Sequence, residues 1–575
     1  MVSVSCNQKD PENNTASAAF EAYEKRFIEQ YFALFPGTAL YAGDHRFDDR
    51  MLIPDADYVR EVVSFCEQNL DSLEQFTDAS LNDNLRIDRW MMRDQLNLVR
   101  WSYTEFHSLE WNPSAWNIAG DCAEIINGRY APLEIRLRSL NSRLKNAVRY
   151  YEAARKSIVK PTREHTDLAI LQHDGAADEV FGKSLLDSLT ASGLSEEEKV
   201  ELKDRIIEAN AAMKSYSVWL KDLRKGFNDQ NTRSFRIGKT LYDKKFEYEI
   251  VSGYTAEEIY NYALERRKVI HHEMAALSRQ LWPKYFPEKV MPSDSLILIR
   301  KMIDTLSVQH VAPDSFLVAI ERQIPELEKF VADKNLIYLD PTKPLKVRKT
   351  PAYMEGSGAG ASISSPGPFD KNANTYYNVS PLNGYSPEEA ESYLREYNSY
   401  ILQILNIHEA VPGHYTQLVY SNNSPSLIKS IFGNGAMVEG WAVYGERMML
   451  ENGYGGNQPE MWLMYYKWHL RTVCNTILDY SVHVLNIQEE EAKKLLIDGA
   501  FQQKAEADGK WTRVKLSQVQ LCSYFTGYSE IYALRNELQQ KAGSQFNLKK
   551  FHEEFLSYGS APVKYIRDLM LKVTQ

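Results

Sequence analysis

The chain has 575 residues, 44% of them apolar and 25% charged, and a formal net charge of −10. That length suits several domains or one large two-lobed enzyme, and the composition is that of a soluble globular protein. Both charge signs are scattered without a basic stripe, which argues against nucleic acid as a partner, and no apolar run is long enough for a transmembrane helix.

Residues 1–15 read as a polar N-terminal tether. Ser3-Val-Ser-Cys6 followed by Asn-Gln-Lys-Asp resembles the end of a bacterial lipoprotein signal, with Cys6 as the lipidated first mature residue. The apolar segment that ordinarily precedes such a cysteine is not in the sequence. The reading predicts a periplasmic or surface lipoprotein that meets the membrane only through Cys6; an incidental cysteine is the other reading. Cys66, Cys122, Cys474 and Cys522 are too widely spread to suggest a disulfide scaffold.

A helical pattern runs from Ala18 to Leu34. Further ones cover about 56–76, 82–109, 132–158, 293–308 and 313–333. Ser195 with Glu198, and Thr255 with Glu258, have the spacing of capping boxes and open two more. Charges at three and four spacing along these helices read as solvated faces. Residues 16–335 are therefore expected to form a helical lobe, and 336–575 a second lobe.

Between Leu336 and Val379 the pattern changes. Glycine, proline and serine cluster at 351–368, and the flanking Ile337-Tyr-Leu and Tyr376-Tyr-Asn-Val-Ser380 read as short strands. The glycines lack the Gly-Lys-Ser/Thr ending of a phosphate loop. An edge strand able to pair with a peptide backbone fits better.

Ser386, Pro387 and Glu389 then open a helix whose apolar face runs through Tyr393, Tyr397, Tyr400, Ile401, Ile404 and Leu405 to His408. That implies one helix of about 25 residues. The next nine residues are His408-Glu-Ala-Val-Pro-Gly-His414-Tyr-Thr. In the usual zinc helix two histidines stand at i and i+4, with the glutamate after the first as general base. Here the second is at i+6, so Pro412-Gly413 must distort the backbone before the two rings can share an ion. Glu439, 25 residues beyond His414, offers a third ligand. Two histidines, one carboxylate and an open position make a catalytic zinc site rather than a structural one. Glu409 would take the proton of the attacking water, and Glu446, on the same helical face as Glu439, would orient a ligand. A His-Glu pair alone is ordinarily a core histidine beside a surface carboxylate. The second histidine, the Pro-Gly break and the downstream glutamate reverse that judgement.

His408-Glu-Ala-Val-Pro-Gly-His414 and Glu439-Gly-Trp-Ala-Val-Tyr-Gly-Glu446 together resemble the blocks of the bacterial domain-of-unknown-function family 885. That family in turn resembles the helical zinc peptidases of the oligopeptidase, angiotensin-converting-enzyme and thermostable-carboxypeptidase type. The resemblance covers about Tyr31 to Met570. It implies a mainly α, two-lobed metallopeptidase-like fold with a deep cleft and a small β-sheet beside the metal-binding helix. It implies one divalent ion, zinc, on His408, His414 and Glu439, with Glu409 as base. Tyr415 stands where the family often has another histidine, so no role for such a histidine carries over.

Three further blocks resemble the family's. The segment Ala39 to Asp48 contains His45, for which a structural role is expected. Arg471 to His483 contains Asp479 and His483, four apart on one helical face. Gln520 to Gly527 contains Tyr524, a candidate donor to a developing oxyanion, or else a buried core tyrosine; Gln518 replaces a proline frequent in the family. His483 and Tyr524 are the candidate transition-state contacts. The function expected is hydrolysis of peptide bonds, with short peptides as substrates. The alternatives are a metal-dependent hydrolase of a small non-peptide amide and an envelope protein that binds peptides without turnover. Glu409 argues against the last, because a binding protein needs no base.

Overall fold

The computed structural model describes residues 11–350, 360–370, 374–382 and 384–572. Cys6 lies outside the described residues, as does the glycine run from Gly356 apart from Gly360. The chain is mainly α-helical, 73% helix, with one open three-stranded sheet. Cys66, Cys122, Cys474 and Cys522 are free and buried.

By contact the chain divides into two compact units. The first comprises the described residues of Met1–Phe235, Pro366–Lys371 and Ser426–Phe432; the second comprises those of Arg236–Ser365, Asn372–Pro425 and Gly433–Gln575. In the first unit, helices Arg163–Glu179 and Glu196–Lys225 pack around Trp116, Tyr151 and Tyr216, all fully buried. The Ser195–Glu198 capping box is formed. The pattern over 132–158 is two helices, Leu133–Leu144 and Ala147–Ser157. The one over 82–109 opens into a wide turn at Ser102–Phe106. His45 stacks on Tyr130 with centroids 3.2 Å apart, and its Nδ1 lies 3.0 Å from Asp48 Oδ2. The excursion Ser426–Phe432 is anchored by Lys429, whose buried ammonium meets Asp88 at 3.0 Å and donates to the Asn84 carbonyl.

The second unit is built on two long helices. Ala256–Tyr285 opens with the Thr255–Glu258 capping box and packs along Pro459–His483. From Leu463 to His483 the latter is buried almost all round, so the charges it carries need partners inside the protein. Lys467 has one in Glu396, at 2.8 Å.

The sheet has the order β1-β3-β2, with β1 (Leu345–Lys349) parallel and β2 (Ala361–Ser364) antiparallel to β3 (Thr375–Val379). Ile337-Tyr-Leu is not a strand. Its backbone meets side chains instead: Tyr338 N–H donates to Glu553, and the Tyr420 hydroxyl donates to the Tyr338 carbonyl at 3.1 Å. At the centre of β3, Tyr377 is fully buried and donates to Asn406 Oδ1 at 2.9 Å. That bond ties the sheet to the helix carrying His408.

The helix expected from Ser386 to His408 is two, Pro387–Glu396 and Ile401–Glu409. The first opens with the Ser386–Glu389 capping box. Asn398 causes the break: its side-chain oxygen accepts from the N–H groups of Tyr400 and Ile401 and restarts the helix.

Candidate metal centre

The helix Ile401–Glu409 buries Ile401, Leu402, Ile404, Leu405 and Ile407, which fixes the direction of His408. After Glu409 the hydrogen-bond ladder widens step by step. Ala410 N–H donates to the Asn406 carbonyl, Val411 N–H donates to the same carbonyl, and Gly413 N–H reaches back to Ile407 at 3.0 Å. Pro412, after a cis peptide bond, has no N–H to give. A Cβ at 413 would stand 1.8 Å from the His408 carbonyl oxygen, so only glycine fits this return of the chain. A new helix, His414–Asn423, starts at once. The two surplus residues are absorbed by this turn, and the imidazole centroids lie 4.7 Å apart at 87°.

The helix Gly435–Glu451, capped by Asn434, supplies the carboxylates. Glu439 Oε2 lies 3.6 Å from His408 Nε2 and 3.4 Å from His414 Nε2. Neither contact is a hydrogen bond, and this oxygen is buried without a hydrogen-bond partner among the described residues. Donors held about 2.0–2.1 Å from a tetrahedral ion stand about 3.3–3.4 Å from one another. Glu439 Oε2 therefore stands close to that spacing from each histidine nitrogen. Glu409 is also near: one of its oxygens and the two histidine nitrogens lie within 4.8 Å of one another. Two carboxylates, Glu409 and Glu439, thus border the histidines.

Glu446 Oε1 accepts from His408 Nδ1 at 2.7 Å and from Trp468 Nε1 at 3.0 Å. Occupying Nδ1 leaves the Nε2 lone pair facing Glu439, as a ligand histidine requires. Trp441, two residues after Glu439, donates to the Pro412 carbonyl at 2.8 Å and pins the turn between the histidines.

The cluster favours positive charge at its centre. Burial opposes protonation of His408, but Glu439, Glu446 and Glu409 outweigh it and push the imidazole up to about 10. Burial would raise Glu439, yet the two histidines hold it well below the usual carboxylate range. Glu409 is raised, first by burial and then by the neighbouring carboxylates against the histidines' pull. A group moved in that direction is suited to taking up a proton.

Gly440 and Gly527 explain how a second motif reaches this place. A Cβ on Gly440 would lie 2.3 Å from Gly527 backbone, and one on Gly527 would lie 1.7 Å from the Ala436 carbonyl oxygen. The helices Gly435–Glu451 and Ser523–Ala542 therefore touch backbone to backbone. That contact sets Tyr524 near Glu439, whose charge helps burial raise the phenol. The Tyr524 hydroxyl accepts from Arg513 Nη2 at 3.2 Å.

His483 is elsewhere. It is fully buried, and its Nε2 meets the carbonyls of Val514 and Ser517 at 2.8 and 3.1 Å. Asp479 accepts from the N–H groups of Val519 and Leu521. Val519 sits at φ +71°, a conformation costing a β-branched residue about 1–3 kcal/mol, and the Asp479 bond holds it there. Asp479 and His483 thus clamp the segment leading to Tyr524. Trp441, Trp468 and the glycine pair were not legible as site residues; Gly440, Trp441 and Gly527 stood inside motif blocks, and Trp468 lay outside them.

Residues 36–570 match the model of a family described as "Bacterial protein of unknown function (DUF885)". No curated protein matches. A solved structure described as a "putative lipoprotein of unknown function" from Shewanella oneidensis is 53% identical, with a TM-score of 0.88, covering 96% of this chain and 99% of that one. A "putative lipoprotein" from Colwellia psychrerythraea shares the fold at 16% identity, with a TM-score of 0.78, covering 98% and 99%.

Proposed function

We propose that this chain, which belongs to the DUF885 family of bacterial proteins of unknown function, hydrolyses peptide bonds with one bound divalent metal, zinc. The observation that supports the reading is the cluster of His408, Glu409 and His414, whose ligand atoms lie within 4.8 Å of one another, with Glu439 Oε2 3.6 Å from His408 Nε2 and 3.4 Å from His414 Nε2. An all-oxygen site would suit magnesium or calcium; two imidazoles suit zinc.

His408, His414 and Glu439 would hold the ion. When bound, zinc acidifies water and polarises a carbonyl. Glu409 takes the proton of the attacking water and passes it to the leaving amine. Glu446 keeps His408 in the tautomer whose Nε2 is free, and Trp468 holds Glu446. Tyr524 donates to the oxyanion as it forms. His483 and Asp479 act through the backbone they clamp, as positioning residues for Tyr524. The resemblance of the relatives supports lipidation at Cys6 and a place in the bacterial envelope.

A second reading has support of its own. The relatives are described as putative lipoproteins, which suits an envelope protein that binds peptides without turnover. A metal-dependent hydrolase of a non-peptide amide would use the same cluster. One experiment separates the three: zinc-loaded protein is incubated with a peptide library and with small amides, with and without chelator. Chelator-sensitive peptide cleavage supports the first reading. Binding without cleavage supports the second, and cleavage confined to amides supports the third.

A further inference from the structure

The turn between His408 and His414 hangs on Asn406. The Asn406 carbonyl accepts from Ala410 N–H at 2.9 Å and again from Val411 N–H at 3.2 Å. How residue 406 is held therefore governs the path of the chain from Glu409 to His414. Its side chain is fully buried and bonded at both ends: Oδ1 accepts from the Tyr377 hydroxyl at 2.9 Å, and Nδ2 donates to Gln323 Oε1 at 2.6 Å. Tyr377 belongs to β3 and Gln323 to the helix Phe316–Asp333. A buried amide used at both ends cannot slide without leaving polar groups unpaired, which is costly.

The second histidine is tied to the same sheet. Tyr415, next after His414, is 5% exposed, and its hydroxyl donates to the Lys343 carbonyl, two residues before β1. β1 and β3 are parallel neighbours, with Val347 beside Tyr377. Two tyrosine hydroxyls thus join the sheet to the two histidine helices, one on either side of the turn. Tyr377 also stands near Glu409: burial first, and that carboxylate second, hold its phenol well above the usual range, so it is a neutral donor.

A buried tyrosine hydrogen bond ordinarily serves packing alone. Here each bond falls within two residues of a candidate ligand histidine. The segment between them has also lost the regular helical ladder, since Val411 bonds five residues back and Gly413 six. A regular helix rotates residues six apart by about 240°, so relaxation of the turn toward that geometry parts the two imidazoles.

We propose that Tyr377, acting through Asn406, and Tyr415, acting through the Lys343 carbonyl, are positioning residues that brace this turn from the sheet and set the separation of His408 and His414. The proposal rests on the metal-binding part of the reading above.

The test uses Tyr377→Phe and Tyr415→Phe, which delete one hydroxyl each and keep the ring. Asn406→Leu is the stronger variant. Tyr420→Phe is the control, because it removes a tyrosine-to-carbonyl bond from the same helix as Tyr415, away from the turn. Zinc affinity is measured by competition titration, and the visible spectrum of cobalt-loaded protein reports the ligand geometry. Each hydroxyl deletion should weaken zinc about 3–10-fold, the worth of one hydrogen bond. Asn406→Leu should weaken it about 10–100-fold. All three should shift the cobalt spectrum, and Tyr420→Phe should match the parent in both readouts. Tyr377→Phe should add nothing to Asn406→Leu, because the hydroxyl acts through that side chain. Parental affinity and spectrum in the two hydroxyl variants overturn the brace. So does a loss that Tyr420→Phe shares, and a loss at one tyrosine alone overturns its two-sided form. A parent that takes up neither zinc nor cobalt sinks the metal reading instead. Crystals of the metal-free Tyr377→Phe and Tyr415→Phe proteins then decide the brace: imidazole centroids still 4.7 Å apart overturn it, and a wider separation upholds it.

Discussion

Replacing Gly527 with alanine sets two effects of opposite sign against each other. In an ordinary helix interior, alanine is favoured over glycine by about 1 kcal/mol. At 527, however, the new methyl would lie 1.7 Å from the Ala436 carbonyl oxygen, and the helix backbone at Gly440 closes the other side. Normal C···O contact is about 3.3–3.6 Å, so the two helices must part by about 1.6 Å or more. No flexible side chain can yield, because the obstacle is backbone. Overpacking of this kind costs about 1–3 kcal/mol, which exceeds the propensity gain at most of that range. The same displacement moves Tyr524 away from Glu439, and a misplacement of about 1 Å at a reacting centre costs about 100-fold in rate. Urea unfolding and peptide turnover measure the two consequences. Gly509→Ala is the control: it lies in a helix of the same unit with nothing within 4 Å of the new methyl, and it should hold or raise the midpoint. A Gly527→Ala protein as stable and as active as its parent would refute the close backbone contact as the device that joins the two motifs.

Glu409→Gln should keep the metal, by elemental analysis, while turnover falls about 10²–10⁴-fold, the value of general acid–base catalysis. Glu446→Gln should weaken zinc affinity about 10–100-fold in a competition titration with little change in the melting curve, because it alters the partner of His408 Nδ1 and not a ligand. Glu24 is pushed up to about 9, by burial first and by Asp88 second. It is therefore protonated in the folded protein and ionised in the unfolded chain between about pH 4.5 and 9, so the stability it contributes is full below that window and is lost as pH rises through it. Thermal melts from pH 5 to 9 should show this decline in the parent and a flatter profile in Glu24→Gln.

The helices opening at Ser195, Thr255 and Ser386 were legible because a capping box is a local signal, written in residues three apart. The break at Asn398 was not, because Tyr393, Tyr397 and Ile401 keep helical spacing straight through it. The spacing of His408 and His414 announced a distorted backbone, since neither a proline nor two surplus residues fits a regular turn. The partners of that turn were silent: Trp441 reads as one more core aromatic until its N–H is seen on the Pro412 carbonyl. Gly440 and Gly527 each look like a tolerated helical glycine, and only the tertiary contact between them shows why no side chain fits. Lys510 and Arg513, three apart, have the spacing of a solvated face, yet Lys510 is buried. Local chemistry could be read from the chain; juxtapositions across it could not.

The central claim is tested most directly by a crystal of the zinc-saturated protein with anomalous diffraction collected on both sides of the zinc edge. The account predicts one strong peak bonded at about 2.0–2.2 Å to His408 Nε2, His414 Nε2 and a Glu439 oxygen, with Glu409 close by but not a ligand. A peak ligated by Glu409 in place of Glu439, or no peak between the two histidines at saturating zinc, would contradict it.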